Sequence, residues 1–514
     1  MLLPLIHSER PALALRLVGA MAVVALAIHI AANVWGPYGL HRDEFLYLSM
    51  GKHLRYWRMD FPPFIALVAN FSRAVGGDTI VAIRLFPAIA HAALVLLAGL
   101  MTKDIGGGRW GQGIAAFAVL TSPLFMRAGG MLQPVVFDQL WWTLALFGLL
   151  KLVNTGQGQW WLAIGGALGA GLLTKFSIAF IGIPLVAAVL LTTERRWLAT
   201  RWPWIALGMT LLMGAPSLIG QFALGFPLLS QMDALQGSQL ERMTYARFMG
   251  EQLLFGPGIV LAVVGCAALI RGPLERYRAM GLSCLGAFLL LLLLHGKAYY
   301  IGPIYPALYA AGAARLGLIE RPLLRRMLLA TTFALVVVYG AVAAPLGVPF
   351  LRPLVMARYA QALGVSKATE TNRGKQLALP QDYADMIGWR EMVRAVADVY
   401  YTIPSAERAD VVLIGENYGE AGALDFYGPG FGLPPVVSTA GSFWFFGPGE
   451  RPGTIALTLG ISSADLREFY GEVKEVVRFD SPWMVPEERG VEILIGRRPK
   501  AALQAIWSLG SGRN

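Results

Sequence analysis

The chain has 514 residues, 56% of them hydrophobic and 15% charged, with a net charge of +11. The apolar residues gather into blocks long enough to cross about 30 Å of hydrocarbon, which excludes a soluble globular protein. The Lys and Arg residues fall mostly in short loops between those blocks, a pattern of membrane orientation rather than of nucleic-acid binding.

From the N-terminus, His7, Glu9, Arg10 and Arg16 precede an apolar run without a small-residue cleavage site, so the run reads as a retained first helix and not as a signal peptide. Apolar blocks lie at 14–34, 79–102, 111–126, 134–153, 159–174, 176–193, 203–223, 254–270, 279–295, 299–316 and 326–346. They predict a mainly α polytopic membrane protein with about eleven spans. Cys266 and Cys284 both lie inside such blocks, which excludes a disulfide framework and a cysteine metal site.

With the N-terminus inside, four of five predicted cytoplasmic loops are rich in Lys and Arg, as orientation by positive charge requires. The same count places the loop 35–78, the loop 224–253 and everything after about residue 347 outside. The first outer loop breaks the rule, because Arg42, Lys52, Arg55, Arg58 and Arg73 lie there. A basic outer loop is suited to phosphates or anionic head groups.

The transmembrane module is expected over 1–348 and an extracytoplasmic soluble α/β domain over 349–514. Strand-like runs at Val411–Ile414, Thr454–Thr458, Val473–Phe479 and Val491–Ile495 alternate there with helical patterns at Tyr383–Tyr400 and Ser463–Tyr470.

The residue pattern with most chemical content is Tyr38-Gly-Leu-His-Arg-Asp-Glu-Phe-Leu-Tyr47. Two carboxylates, Asp43 and Glu44, beside a span are costly to keep near lipid and point to chemistry or a polar pathway. The stretch Glu44–Trp57 has the spacing of an amphipathic helix lying in the interface, ended by Pro62-Pro63.

These features resemble the GT-C membrane glycosyltransferases, in particular the family 39 and ArnT-like group that uses polyprenyl-phosphate sugars. The resemblance rests on Asp43-Glu44 with Tyr47, Asp60-Phe-Pro-Pro63, Gln133-Pro134, Gly171-Leu-Leu-Thr-Lys175 and Lys297-Ala-Tyr-Tyr-Ile-Gly-Pro-Ile-Tyr-Pro306, in that order. It implies a GT-C fold and transfer of one sugar from a polyprenyl-phosphate donor to a lipid, glycan or protein acceptor at the outer face of the inner membrane. It also implies that Asp43 is the general base.

Glu44 and Asp138 complete the expected catalytic set, with Arg55, Arg58, Lys175 and Lys297 as phosphate ligands. Tyr47, Tyr299, Tyr300, Glu416 and Asn417 are the expected sugar or acceptor contacts. Two positions depart from the pattern: Phe61 stands where many relatives have His, and Val135 follows Pro134 where many have an acid, Asp138 coming within a turn of it.

Each assignment has a plainer counterpart. Asp43 can pair with Arg42 or Arg55, Asp138 can pair with Arg127 or cap a helix, and Lys175 can snorkel. Tyr299 and Tyr300 can belong to an aromatic belt, and Glu416-Asn417 can form a tight strand-to-helix turn. No histidine pattern for a metal is present, and no metal ligand set is assigned. A divalent cation between Glu44 and the donor phosphate is the one cofactor the resemblance brings in, and Phe61 argues against it. The rival functions are a transporter or flippase of lipid-linked sugar and a non-catalytic glycan-binding assembly protein.

Overall fold

The computed structural model describes residues 11–238, 240–364, 369, 371 and 374–507. Its helical part is a bundle whose central members are Leu85–Ile105 and Pro134–Thr155, both mostly buried. Leu15–Trp35 and Pro322–Gly347 turn Val23, Val24, Leu335 and Val338 outward, as helices in contact with lipid do. At about 1.5 Å per residue, helices of this length match the hydrocarbon thickness.

Among the described residues six helices are long and apolar enough to span, and eight if two bent pairs each count as one span. The bent pairs are Phe176–Leu191 with Thr193–Ala199, and Tyr245–Phe255 with Gly258–Arg271. The eleven expected apolar blocks coincide with helices to within a few residues, but several, such as Arg109–Thr121 and Tyr305–Gly317, are only 13 residues long. Short helices packed among others are as apolar as long ones, so apolar blocks and long helices differ in number.

Helix Gly258–Arg271 crosses Tyr305–Gly317 closely. A Cβ at Gly265 would lie 2.2 Å from the Leu308 carbonyl oxygen and one at Gly312 2.1 Å from that of Leu261. Small residues at both contact points let the two backbones touch.

The two ends of the bundle differ. At one end Asp104 pairs with Lys103 and Lys151, each at 3.2 Å, and Tyr277 bonds Asn154. At the other, Arg84 and Leu132 bond Glu44 on the segment after the first helix, and Tyr418 of the C-terminal part bonds Asp43 there.

The C-terminal part carries a five-stranded sheet of β1 (Val411–Gly415), β2 (Val436–Val437), β3 (Ile455–Leu459), β4 (Tyr470–Phe479) and β5 (Val491–Pro499) in the order β2-β1-β3-β5-β4. β1 is parallel to β2 and β3, while β5 is antiparallel to β3 and β4, with Leu413 opposite Leu457 and Leu457 opposite Ile495. β1 and β3 are covered on both faces, which accounts for their unbroken apolar runs.

One face, with Val411, Leu413, Leu457 and Ile493, packs on helix Trp389–Thr402 through Trp389, Met392, Val393 and Val396. The helical pattern expected over Tyr383–Tyr400 is broken between Ala384, where one short helix ends, and Trp389, where the next starts behind the N-cap Gly388 with a φ of 85°. The same core cluster runs through Phe45 and Leu46 into the bundle, so the α/β part and the spans share one hydrophobic core.

Candidate functional site

Asp43 and Glu44 open the helix Arg42–Lys52. His41 caps it: its Nδ1 accepts from the Asp43 N–H at 3.1 Å, while Glu44 reaches back to accept from the His41 N–H at 2.7 Å. The pair of bonds is a capping box that satisfies two orphan donors and turns the two carboxylates apart.

The helix ends near Lys52 rather than Trp57, and every residue from Glu44 to Gly51 is buried. The C-terminal helix Tyr418–Tyr427 packs against it: a Cβ on Gly422 would lie 2.6 Å from the Phe45 Cβ, and Asp425 takes a 2.6 Å bond from Ser49 and a 3.0 Å ion pair from Lys52.

Glu44 is fully buried. Arg84 donates to it from Nε at 2.9 Å and Nη2 at 2.6 Å, and the backbone N–H groups of Leu132 and His41 complete its shell. Burial opposes its charge, but the Arg84 guanidinium and these bonds hold its carboxyl below the ordinary value. Both oxygens are spent on structure, so Glu44 ties the site helix to the Leu132-Gln133 turn and presents nothing to a substrate or cation.

Asp43 is different. Its carboxylate keeps 29% exposure, accepts from Gln133 Nε2 at 3.1 Å and from the Tyr418 hydroxyl at 2.9 Å, and has His41 Nδ1 3.9 Å away. His41 also lies 3.6 Å from the buried Asp385. Burial works against its charge, yet Asp43 and Asp385 raise it to about 9.

Lys297 and Lys175 sit beside the two tyrosines Tyr299 and Tyr300, with Lys175 Nζ 4.1 Å from the centre of the Tyr300 ring and Lys297 Nζ 5.9 Å from that of Tyr299. Burial, with the neighbouring Lys175 charge, lowers the Lys297 pKa, and Asp43 works against that shift. Tyr47, buried on the site helix, feels Asp43, Tyr418 and Tyr300. Asp43, Tyr47, Lys175, Lys297, Tyr299 and Tyr300 thus form one neighbourhood. Among the described residues neither lysine has an ion-pair partner.

Asp138 lies next to this group, within the field of Lys175, but is buried and bonded by Trp142 Nε1 at 3.0 Å and Ser177 Oγ at 2.7 Å. It orders the start of Pro134–Thr155 against the break after Lys175. Arg55 and Arg58 are exposed on the turn after the site helix, Arg55 beside His53, with no hydrogen bond to the cluster.

Asn417 caps Tyr418–Tyr427 by accepting from Gly419 and Glu420, and its amide donates to Glu488 at 3.0 Å. Glu416 is exposed and faces Asp465. Neither joins the cluster: the glycine-rich stretch is a capped strand-to-helix turn, whose side chains are taken by the cap. Asp60, first residue of the double-proline element, is buried on Ser442 at 2.7 Å and is pushed up to about 6 by burial.

The sequence reading left out Arg84, Gln133 as an Asp43 ligand, and Tyr418 as its partner. A lone Arg between Ile83 and Leu85 is itself a signal, since a buried cation needs an anion. Tyr418 has no local signal, being 375 residues from Asp43.

Residues 60–219 match the family model for dolichyl-phosphate-mannose-protein mannosyltransferase. No curated protein matches the chain by sequence. Among solved structures, the fold is similar to the crystal structure of ArnT from Cupriavidus metallidurans bound to undecaprenyl phosphate, at 15% identity over 94% of this chain and 98% of that one, with a TM-score of 0.60. Its apo form gives the same coverage and a TM-score of 0.61. The cryo-EM structure of the arabinofuranosyltransferase AftD from Mycobacteria is similar at 14% identity over 95% of this chain and 40% of that one, with a TM-score of 0.52. At these identities the likeness is one of architecture: this chain has the fold of GT-C membrane glycosyltransferases.

Proposed function

We propose that the protein is a membrane glycosyltransferase that moves a single sugar from a polyprenyl-phosphate carrier to an acceptor hydroxyl of a lipid, glycan or protein, with Asp43 as general base. The observation that carries the reading is the half-open Asp43 carboxylate in one neighbourhood with two lysines that, among the described residues, form no ion pair. The family-model match over 60–219 and the architecture shared with ArnT bound to undecaprenyl phosphate support the same donor class.

The chemistry follows from that placement. The acceptor hydroxyl gives its proton to Asp43 as its oxygen attacks the anomeric carbon. The bond from that carbon to the phosphate oxygen breaks, and the electron pair leaves with the phosphate, whose negative charge Lys175 and Lys297 hold. A single displacement inverts the anomeric centre. Tyr47, Tyr299 and Tyr300 supply hydroxyls and rings along the sugar.

A divalent cation does not fit this residue set. Glu44, its expected ligand, has both oxygens engaged, and among the described residues no three His, Cys, Asp or Glu side chains cluster as ligands. No step is routed through a metal.

The cluster lies at the end of the bundle opposite Lys103, Lys151 and Arg276, and the positive-inside rule assigns that basic end to the cytoplasm. We therefore assign the reaction to the extracytoplasmic face.

The test compares glycolipids and glycans from cells with and without the protein, and repeats the comparison with Asp43→Asn. The product vanishes with the gene and stays absent with Asp43→Asn, whose turnover falls by about 10² to 10⁴, the range of a lost general base. Full turnover by a folded Asp43→Asn protein would falsify the assignment.

A further inference from the structure

The C-terminal part touches the proposed base directly. The Tyr418 hydroxyl donates to Asp43 Oδ1 at 2.9 Å while Gln133 donates to Oδ2 at 3.1 Å, so the bundle fixes one oxygen and the α/β part the other. Tyr418 is the first residue of its helix, immediately after the Asn417 cap. That helix start is held from behind: Asn417 accepts from Gly419 and Glu420, Glu420 reaches back to the Glu416 and Asn417 N–H groups, and the Asn417 amide is bound by Glu488.

The ring is held from the side as well, with the Arg42 guanidinium 5.5 Å from its centre and Arg42 Nε 3.6 Å from Asp385. The close approach at Gly422 and the Ser49–Asp425 bond clamp the two helices one and two turns further on. A phenol this constrained selects a single orientation of the carboxylate it binds.

We infer that Tyr418 is a positioning residue for Asp43, and that the reaction site is complete only when the C-terminal α/β part is docked on the site helix. By donating to Oδ1 while Gln133 donates to Oδ2, the phenol fixes the orientation of the carboxylate. The inference rests on the reading of Asp43 as the base. It adds that an element more than 370 residues away in the chain sets the geometry of that base.

Two measurements on the full-length protein in nanodiscs test it. The first is the infrared carboxylate stretch of Asp43, isolated as the difference between wild type and Asp43→Asn. Tyr418→Phe, which removes only the hydroxyl, shifts that band; an unshifted band overturns the contact whether or not the protein turns over.

The second is release of undecaprenyl phosphate from undecaprenyl-phosphate-linked hexose and pentose donors. Tyr418→Phe lowers kcat about tenfold or more with KM within about twofold, the size expected for losing a hydrogen bond to a charged group. In the Asp43→Asn background the same change has no further effect. A fall of equal size in both backgrounds, or an unchanged kcat, overturns the positioning role. Absence of turnover by wild type on every donor overturns the transferase reading alone, and the infrared band still decides the contact.

Discussion

Two adjacent carboxylates on one helix turn meet opposite fates. Glu44 is consumed by Arg84 and two backbone N–H groups, and Asp43 stays half open. Arg84→Met leaves the Glu44 charge buried without its partner and should cost about 3–5 kcal/mol, read as a lower melting temperature in detergent. Adding Glu44→Gln should restore part of the loss, because the orphaned charge is then gone.

His41 gives a pH signature. Asp43 and Asp385 raise its pKa in the folded protein from 6.5 to about 9, so the ion-pair part of its contribution is fully present below pH 6.5 and is lost as pH rises through 9, while the cap bond from the Asp43 N–H to Nδ1 forms only as the ring loses its proton. The shift corresponds to about 3 kcal/mol at one unit per 1.36 kcal/mol. His41→Asn keeps a side chain able to cap the helix and should flatten thermal stability between pH 6.5 and 9. A stability curve that declines equally in wild type and variant would show that His41 is not its source. Glu488, pushed up to about 7 by burial, acts in the same direction but in a lower window.

At the scale of elements, the site depends on one close helix pair. Arg42–Lys52 and Tyr418–Tyr427 approach at Gly422, where a Cβ has no room against Phe45. Gly422→Val should push the helices apart, cost about 1–3 kcal/mol of stability as overpacking does, and lower turnover through Asp43 while leaving the bundle intact. Helix content by circular dichroism should be retained.

The boundaries of these elements were largely legible: β1, β3 and β5 begin within a residue of the apolar runs that announce them. The expected amphipathic helix over Glu44–Trp57 is shorter, Arg42–Lys52, and covered by protein, for a specific reason. Amphipathic spacing marks one apolar face and does not say what covers the other; here a second helix covers it, and all eight residues from Glu44 to Gly51 are buried.

For the whole molecule, the spans and the α/β part form one core through Phe45, Leu46, Trp389 and Leu424. The distribution of charge predicts its orientation: in a background of Cys266→Ala and Cys284→Ala, a cysteine at exposed Glu416 should react with a membrane-impermeant maleimide in spheroplasts, and one at Arg276 should not. The reverse labelling pattern would put the Asp43 cluster on the cytoplasmic side.

What the sequence by itself determined was the membrane class, the apolar blocks, and the alternation of strands and helices near the C-terminus; it also nominated Asp43, Lys175, Lys297 and the tyrosines as candidates. All of these are written in local composition and periodicity, which a bilayer and a sheet impose over a few turns or strands. Which carboxylate stays open, which is locked on Arg84, and that Tyr418 reaches Asp43 were decided only by the tertiary structure. Hydrogen-bond partners for a buried charge are chosen by proximity in space, and the chain brings residues 44 and 84, and 43 and 418, together only after the bundle and the α/β part have packed.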